Sequence, residues 1–109
     1  MSYQIEISDN FKKEAKKLFK KYPSLYSEIA QLIEELKENP RMGTHLGADI
    51  YQIRIAIASK GRGKSGGGRV LTYVEISGNV VLLFSIYSKG EKDSLSDAEI
   101  EALLKMHLE

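Results

Sequence analysis

YQIRIAIASKGRGKSGGGRVLTYVEISGNVVLLFSIYS, residues 51–88, holds three strand-like runs divided by two turns, and its reading decides the fold. In the first run, Tyr51 to Ala58, strand alternation sets Tyr51, Ile53, Ile55 and Ile57 on one face and Gln52 and Arg54 on the other. The isoleucine face must pack on a core, so Arg54 points to the open side of the sheet. The second run is Arg69 to Ser77, and Arg69 reads as a strand-edge arginine facing solvent. The third, Val80 to Tyr87, is apolar on both faces, the pattern of an interior strand. Ser77-Gly78-Asn79-Val80 has a Gly-Asn pair at its centre, a hairpin signal joining the second and third runs. If that hairpin keeps strand ends together, Tyr87 and Lys89 fall near Arg69, although a slip of one residue would turn a whole strand over.

Between the first two runs lies SKGRGKSGGGR, Ser59 to Arg69, with five of the nine glycines, four of the sixteen basic residues and no acid. Glycine opens the backbone to close approach, and Lys60, Arg62, Lys64 and Arg69 supply cations at short spacing. The expectation is a mobile polycationic loop tethered to a rigid sheet, with a phosphate backbone as its complement.

Outward from this block, Tyr3, Ile5 and Ile7 alternate with polar residues as a short strand. Ser8 or Asp9 offers an N-cap for a helix to about Lys21, with Phe11, Ala15, Leu18 and Phe19 on one side. Tyr22-Pro23-Ser24 ends it and caps a second helix, striped by Leu25, Ile29, Leu32, Ile33 and Leu36 and stopped at Asn39-Pro40. Arg41 to Asp49 reads as a polar connection. Downstream, Ser96 or Asp97 stands in capping-box relation to Glu99 before the stripe Ile100, Leu103, Leu104. The predicted order is βααβββα in one domain, 1–109. The fold class is α+β: a mainly antiparallel twisted sheet, a helical hairpin on one face and a C-terminal helix.

The net charge of +1 conceals an asymmetry: six lysines against Glu14 between Lys12 and Lys21, six acids against two lysines from Glu91 to Glu109. The lysine run reads as the wet face of a helix. Absence of cysteine excludes disulfides and thiolate chemistry and fits the cytoplasm. The first residues lack a signal-peptide pattern, and no apolar run is long enough to span a membrane. His45 and His107 have no ligand spacing with a third donor, so neither a metal nor another cofactor is expected.

A basic face without histidine, thiol or grouped carboxylates cannot run two-metal nuclease chemistry. It suits RNA cleavage by the RNA's own 2′-hydroxyl, with arginines stabilising the phosphorane and DNA spared. Arg54 and Arg69 are the candidate catalytic arginines. Proton transfer falls to Lys89, Lys64 or Tyr87, and RNA binding to Lys60, Arg62, Lys64 and Lys92. The alternatives are a non-enzymatic binding protein and a non-catalytic RNA-binding module.

The predicted order, FKKEAKKLFKKYP near the start, the block from Tyr51 to Val74 and LLFSIYSKGEKDSLSDAEIEAL resemble the RelE-like toxins of bacterial toxin–antitoxin modules, nearest the HigB branch. The resemblance implies a ribosome-dependent endoribonuclease that cuts mRNA in the decoding site and is silenced by an antitoxin, a small helix-turn-helix protein. Related ParE-like proteins share the fold and inhibit DNA gyrase. By resemblance, the family's arginine at the start of the middle strand falls on Arg69 and its basic residue on the preceding strand on Arg54. A strand lysine of the best-known members falls on Gln52. A later arginine falls on Gly90, with Lys89 beside it.

Overall fold

Ser8 starts the first helix as expected: its hydroxyl oxygen accepts the Phe11 N–H at 3.1 Å. The structure, a computed structural model, describes residues 2–75, 77–92 and 94–108. Ile76, within the second predicted strand run, and Asp93 and Glu109, within the acidic C-terminal stretch, lie outside them. The elements are β1 (Gln4–Ile7), α1 (Asp9–Lys21), α2 (Leu25–Glu38), β2 (Thr44–Gly47), β3 (Ile50–Ile55), β4 (Gly68–Glu75), β5 (Val80–Ser88) and α3 (Asp97–Leu108), with a 3-10 turn at Ala58–Lys60. The capping box at Ser96 is closed in both directions, Ser96 N–H to Glu99 and Glu99 N–H to the Ser96 hydroxyl, each at 3.1 Å. Ser24 departs from expectation. It precedes α2 in helical backbone without capping it, and its hydroxyl turns instead to Glu28 and Ser59.

The sheet runs β1-β5-β4-β3-β2, with β1 parallel to β5 and every other pair antiparallel. On one face α1 and α2 bury Phe11, Ala15, Leu18, Leu25, Ile29, Leu32 and Leu36 against Ile53, Ile55, Val70, Val81, Leu83 and Ile86. The other face is divided. One half carries a smaller core, Leu71, Leu82 and Phe84 beneath Ile100 of α3. The remaining half, at the end where β3 and β5 finish and β4 begins, is left to polar side chains.

β2 corrects the reading of Arg41 to Asp49 as a connection. It pairs with β3 through Thr44, His45 and Gly47, and its residues are mostly exposed, so it has no apolar alternation to read. Its turn hides as well: Ala48 and Asp49 both take positive φ, 47° and 65°, where Asn-Gly would have announced a hairpin.

Where β5 runs past the end of β1, α1 covers its edge. Glu14 accepts hydrogen bonds from the Ile86 N–H (3.3 Å), the Ser85 hydroxyl (2.9 Å) and the Asn10 amide (2.8 Å). This carboxylate closes the ladder next to the irregularity opposite Leu71 and Thr72, where the β4–β5 register shifts.

Candidate functional site

Register decides what meets on the uncovered half-face. Arg54 pairs with Arg69 across β3 and β4, and Arg69 pairs with Tyr87 across β4 and β5. Directly opposed residues of antiparallel strands share a face, so the three form one transverse row. Gln52, two residues before Arg54, lies on the same face. Its amide Nε2 donates to the Tyr87 hydroxyl at 3.1 Å, so the tyrosine side chain reaches across β4 to β3. The expected arrangement of Arg54, Arg69 and Tyr87 is therefore present.

Their environments differ from the sequence reading. Arg54 is exposed. Arg69 is only 5% exposed and β4 is the middle strand, which corrects the view of a strand-edge arginine facing solvent. Its guanidinium donates to the carbonyls of Lys64 (3.0 Å), Gly68 (3.0 Å) and Ser65 (2.9 Å). Three converging carbonyl dipoles suit a buried cation, and in exchange Arg69 folds the glycine-rich segment onto the strand that follows it. Tyr87 is likewise 5% exposed.

The segment itself is structured rather than a loose polycationic loop. Lys60, an RNA-binding candidate by sequence, does not present a free cation. Its ammonium instead donates to the Lys89 carbonyl at 2.6 Å and the Ser88 hydroxyl at 2.8 Å, 5.9 Å from the Tyr22 ring centre. Lys60 thus ties the segment to the end of β5. A second tie leads to α2: Glu28 accepts the Ala58 N–H and the Ser24 hydroxyl, and Ser24 and Ser59 bond each other. Gly67 is a glycine because the chain folds tightly on itself, not to admit a ligand. A Cβ there would stand 2.2 Å from the Ile55 carbonyl oxygen and 2.9 Å from the Ile57 nitrogen.

Arg62 and Lys64 remain exposed on this braced segment, next to the row. Lys92 is half-exposed and faces Glu99 across 3.9 Å. Lys89 sits at the end of β5, its N–H bonded to the Gly67 carbonyl. Among the described residues no three His, Cys, Asp or Glu side chains come together as a metal-ligand group. Sequence reasoning missed Gln52 as a participant, since a strand glutamine gives no sign of its partner. It also missed Ser24, Glu28 and Ser59, which are distant in sequence and meet only in the fold.

The family model described as "RelE toxin of RelE / RelB toxin-antitoxin system" matches residues 4–108. The chain belongs to the RelE toxin family. Three solved RelE structures show the same fold. A mutant of E. coli toxin RelE in the free state has a TM-score of 0.62 at 21% identity, covering 99% of this chain and 96% of that one. The isolated E. coli RelE toxin gives 0.62 at 20%, covering 96% and 99%. An E. coli RelE mutant in complex with an antitoxin RelBc peptide gives 0.63 at 23%, covering 94% and 95%. In this RelE-family chain no helix of the described residues is long and apolar enough to cross a membrane.

Proposed function

We propose that this RelE-family toxin is a ribosome-dependent mRNA endoribonuclease of the HigB branch, acting in the decoding site. It cuts RNA by attack of the 2′-hydroxyl on the adjacent phosphate, without a metal. The observation that carries this reading is the row Arg54, Arg69, Tyr87, registered across three strands and flanked by the exposed cations Arg62 and Lys64. Such a row can receive a phosphate and the extra charge of its transition state in a fixed geometry. Arg62, Lys64 and Lys92 bind RNA, Lys89 lines the end of the row, and Lys60 supports the segment from below.

The partner of such a nuclease is an antitoxin. E. coli RelE has been solved with an antitoxin RelBc peptide, and the family description names a toxin–antitoxin system. For this chain the antitoxin is a small helix-turn-helix protein, encoded beside the toxin and acting in the cytoplasm.

Purified protein added to translating ribosomes is expected to produce discrete cuts in mRNA, and co-expression of the neighbouring gene is expected to restore growth. Inhibited DNA supercoiling with intact mRNA would assign the protein to the gyrase-inhibiting relatives instead. RNA that is bound but left uncut, in cells that grow normally, would leave only a binding module.

A further inference from the structure

We propose that Tyr87 is the general acid of this chain and that Gln52 is its positioning residue, an amide–phenol pair doing the proton transfer. This rests on the nuclease reading above and deepens it. A nuclease that works through the 2′-hydroxyl must protonate the departing 5′-oxygen, and arginines, which do not give up protons, cannot do so. The row nevertheless contains one hydroxyl, that of Tyr87, in register with Arg69 and Arg54. The phenol is held in place: the residue is 5% exposed and Gln52 Nε2 donates to its oxygen at 3.1 Å. Because the amide donates, the phenol oxygen is the acceptor in that contact. Lys60, another proton carrier nearby, is committed to the Lys89 carbonyl and the Ser88 hydroxyl.

In the step, the 2′-oxygen bonds to phosphorus and the bond from phosphorus to the 5′-oxygen breaks. The 2′-hydroxyl proton leaves to water, and the 5′-oxygen takes the phenolic proton of Tyr87. Arg54 and Arg69 stabilise the phosphorane between. The products are a 2′,3′-cyclic phosphate and a 5′-hydroxyl end. The phenolate is stabilised by the Gln52 N–H until water returns a proton, so no co-reactant is consumed.

The test compares ribosome-bound mRNA carrying a normal scissile phosphate with the same mRNA carrying sulfur in place of the 5′-bridging oxygen, since a thiolate leaves without a proton. On the oxygen substrate, Tyr87→Phe should lower single-turnover cleavage about a hundredfold, the scale of one lost general acid. Gln52→Leu should cost roughly tenfold, the scale of one hydrogen bond to a charged oxygen. The double variant should be no slower than Tyr87→Phe. Gln52→Lys, which keeps an N–H donor, should recover most of the loss. On the sulfur substrate all variants should approach wild type. Losses that persist on sulfur, or that multiply in the double variant, would show merely structural roles and overturn the assignment while the nuclease reading stands. A wild-type protein that cuts neither substrate would remove both.

Discussion

The two arginines of the row predict unequal stability costs for the same substitution. Arg54 is exposed, so Arg54→Ala should change the unfolding free energy by less than about 0.5 kcal/mol while reducing cleavage on the order of a hundredfold. Arg69→Ala strips donors from the Lys64, Ser65 and Gly68 carbonyls and should cost about 1–3 kcal/mol in urea unfolding as well as cleavage. An Arg69→Ala protein that unfolds like wild type would mean those contacts do not hold the segment. Thr72 offers the converse case. It is fully buried and its hydroxyl has no hydrogen-bond partner among the described residues, so Thr72→Val should stabilise by about 1 kcal/mol, read as a raised Tm. At this scale the sequence was half legible. Alternation put Gln52 and Arg54 on one face, because side-chain period in a strand is a local property. It could not tell that Arg69 and Lys60 turn inward to carbonyls, because their acceptors are backbone atoms that any residue would carry.

Among the elements, the β2–β3 hairpin and α3 carry the sharpest tests. Alanine in left-handed backbone costs about 1 kcal/mol, and asparagine and glycine tolerate it better, so Ala48→Asn with Asp49→Gly should stabilise by about 0.5–1 kcal/mol in thermal melts. Unchanged or lowered stability would mean that the turn is not strained. The N-terminus of α3 is sensitive to acid. Hydrogen bonds from the Ser96 backbone N–H and hydroxyl, aided by Lys92, hold the Glu99 carboxyl below its ordinary value of 4.5. A group depressed on folding contributes stability above its unfolded value and loses it as pH falls through the folded one. The protection of the Ile100 amide, its hydrogen exchange taken relative to the intrinsic rate at each pH, should therefore fall below pH 4.5, and Glu99→Gln, which can still accept in a capping box, should flatten that dependence. If both proteins respond alike, the capping carboxylate is not the sensor. The capping box was legible in sequence because its partners lie three residues apart. The β2 hairpin was not, since its edge strand is exposed and its turn lacks the usual residues.

For the molecule as a whole, the charge asymmetry seen in sequence is met partly within the fold, where Lys21 of the lysine run bonds Glu91 at 2.9 Å. The layers were legible because the strand runs, alternating or apolar throughout, and the three striped helices each carried a local pattern, and their sum left few topologies. The division of the open face, half under α3 and half bearing the row, was not legible, because nothing in the α3 stripe names the strands it covers. That division brings Arg54, Arg69 and Tyr87 together beside a braced cationic segment, and the account stands on their cutting RNA through its own 2′-hydroxyl. The most direct measurement uses ribosomes programmed with an mRNA whose single cut site has been mapped, and the same mRNA with one 2′-deoxy nucleotide immediately 5′ of the scissile phosphate. The account predicts cleavage of the first, leaving a 2′,3′-cyclic phosphate and a 5′-hydroxyl, and none at that site in the second. Equal cleavage of both, or an intact first mRNA, would contradict it.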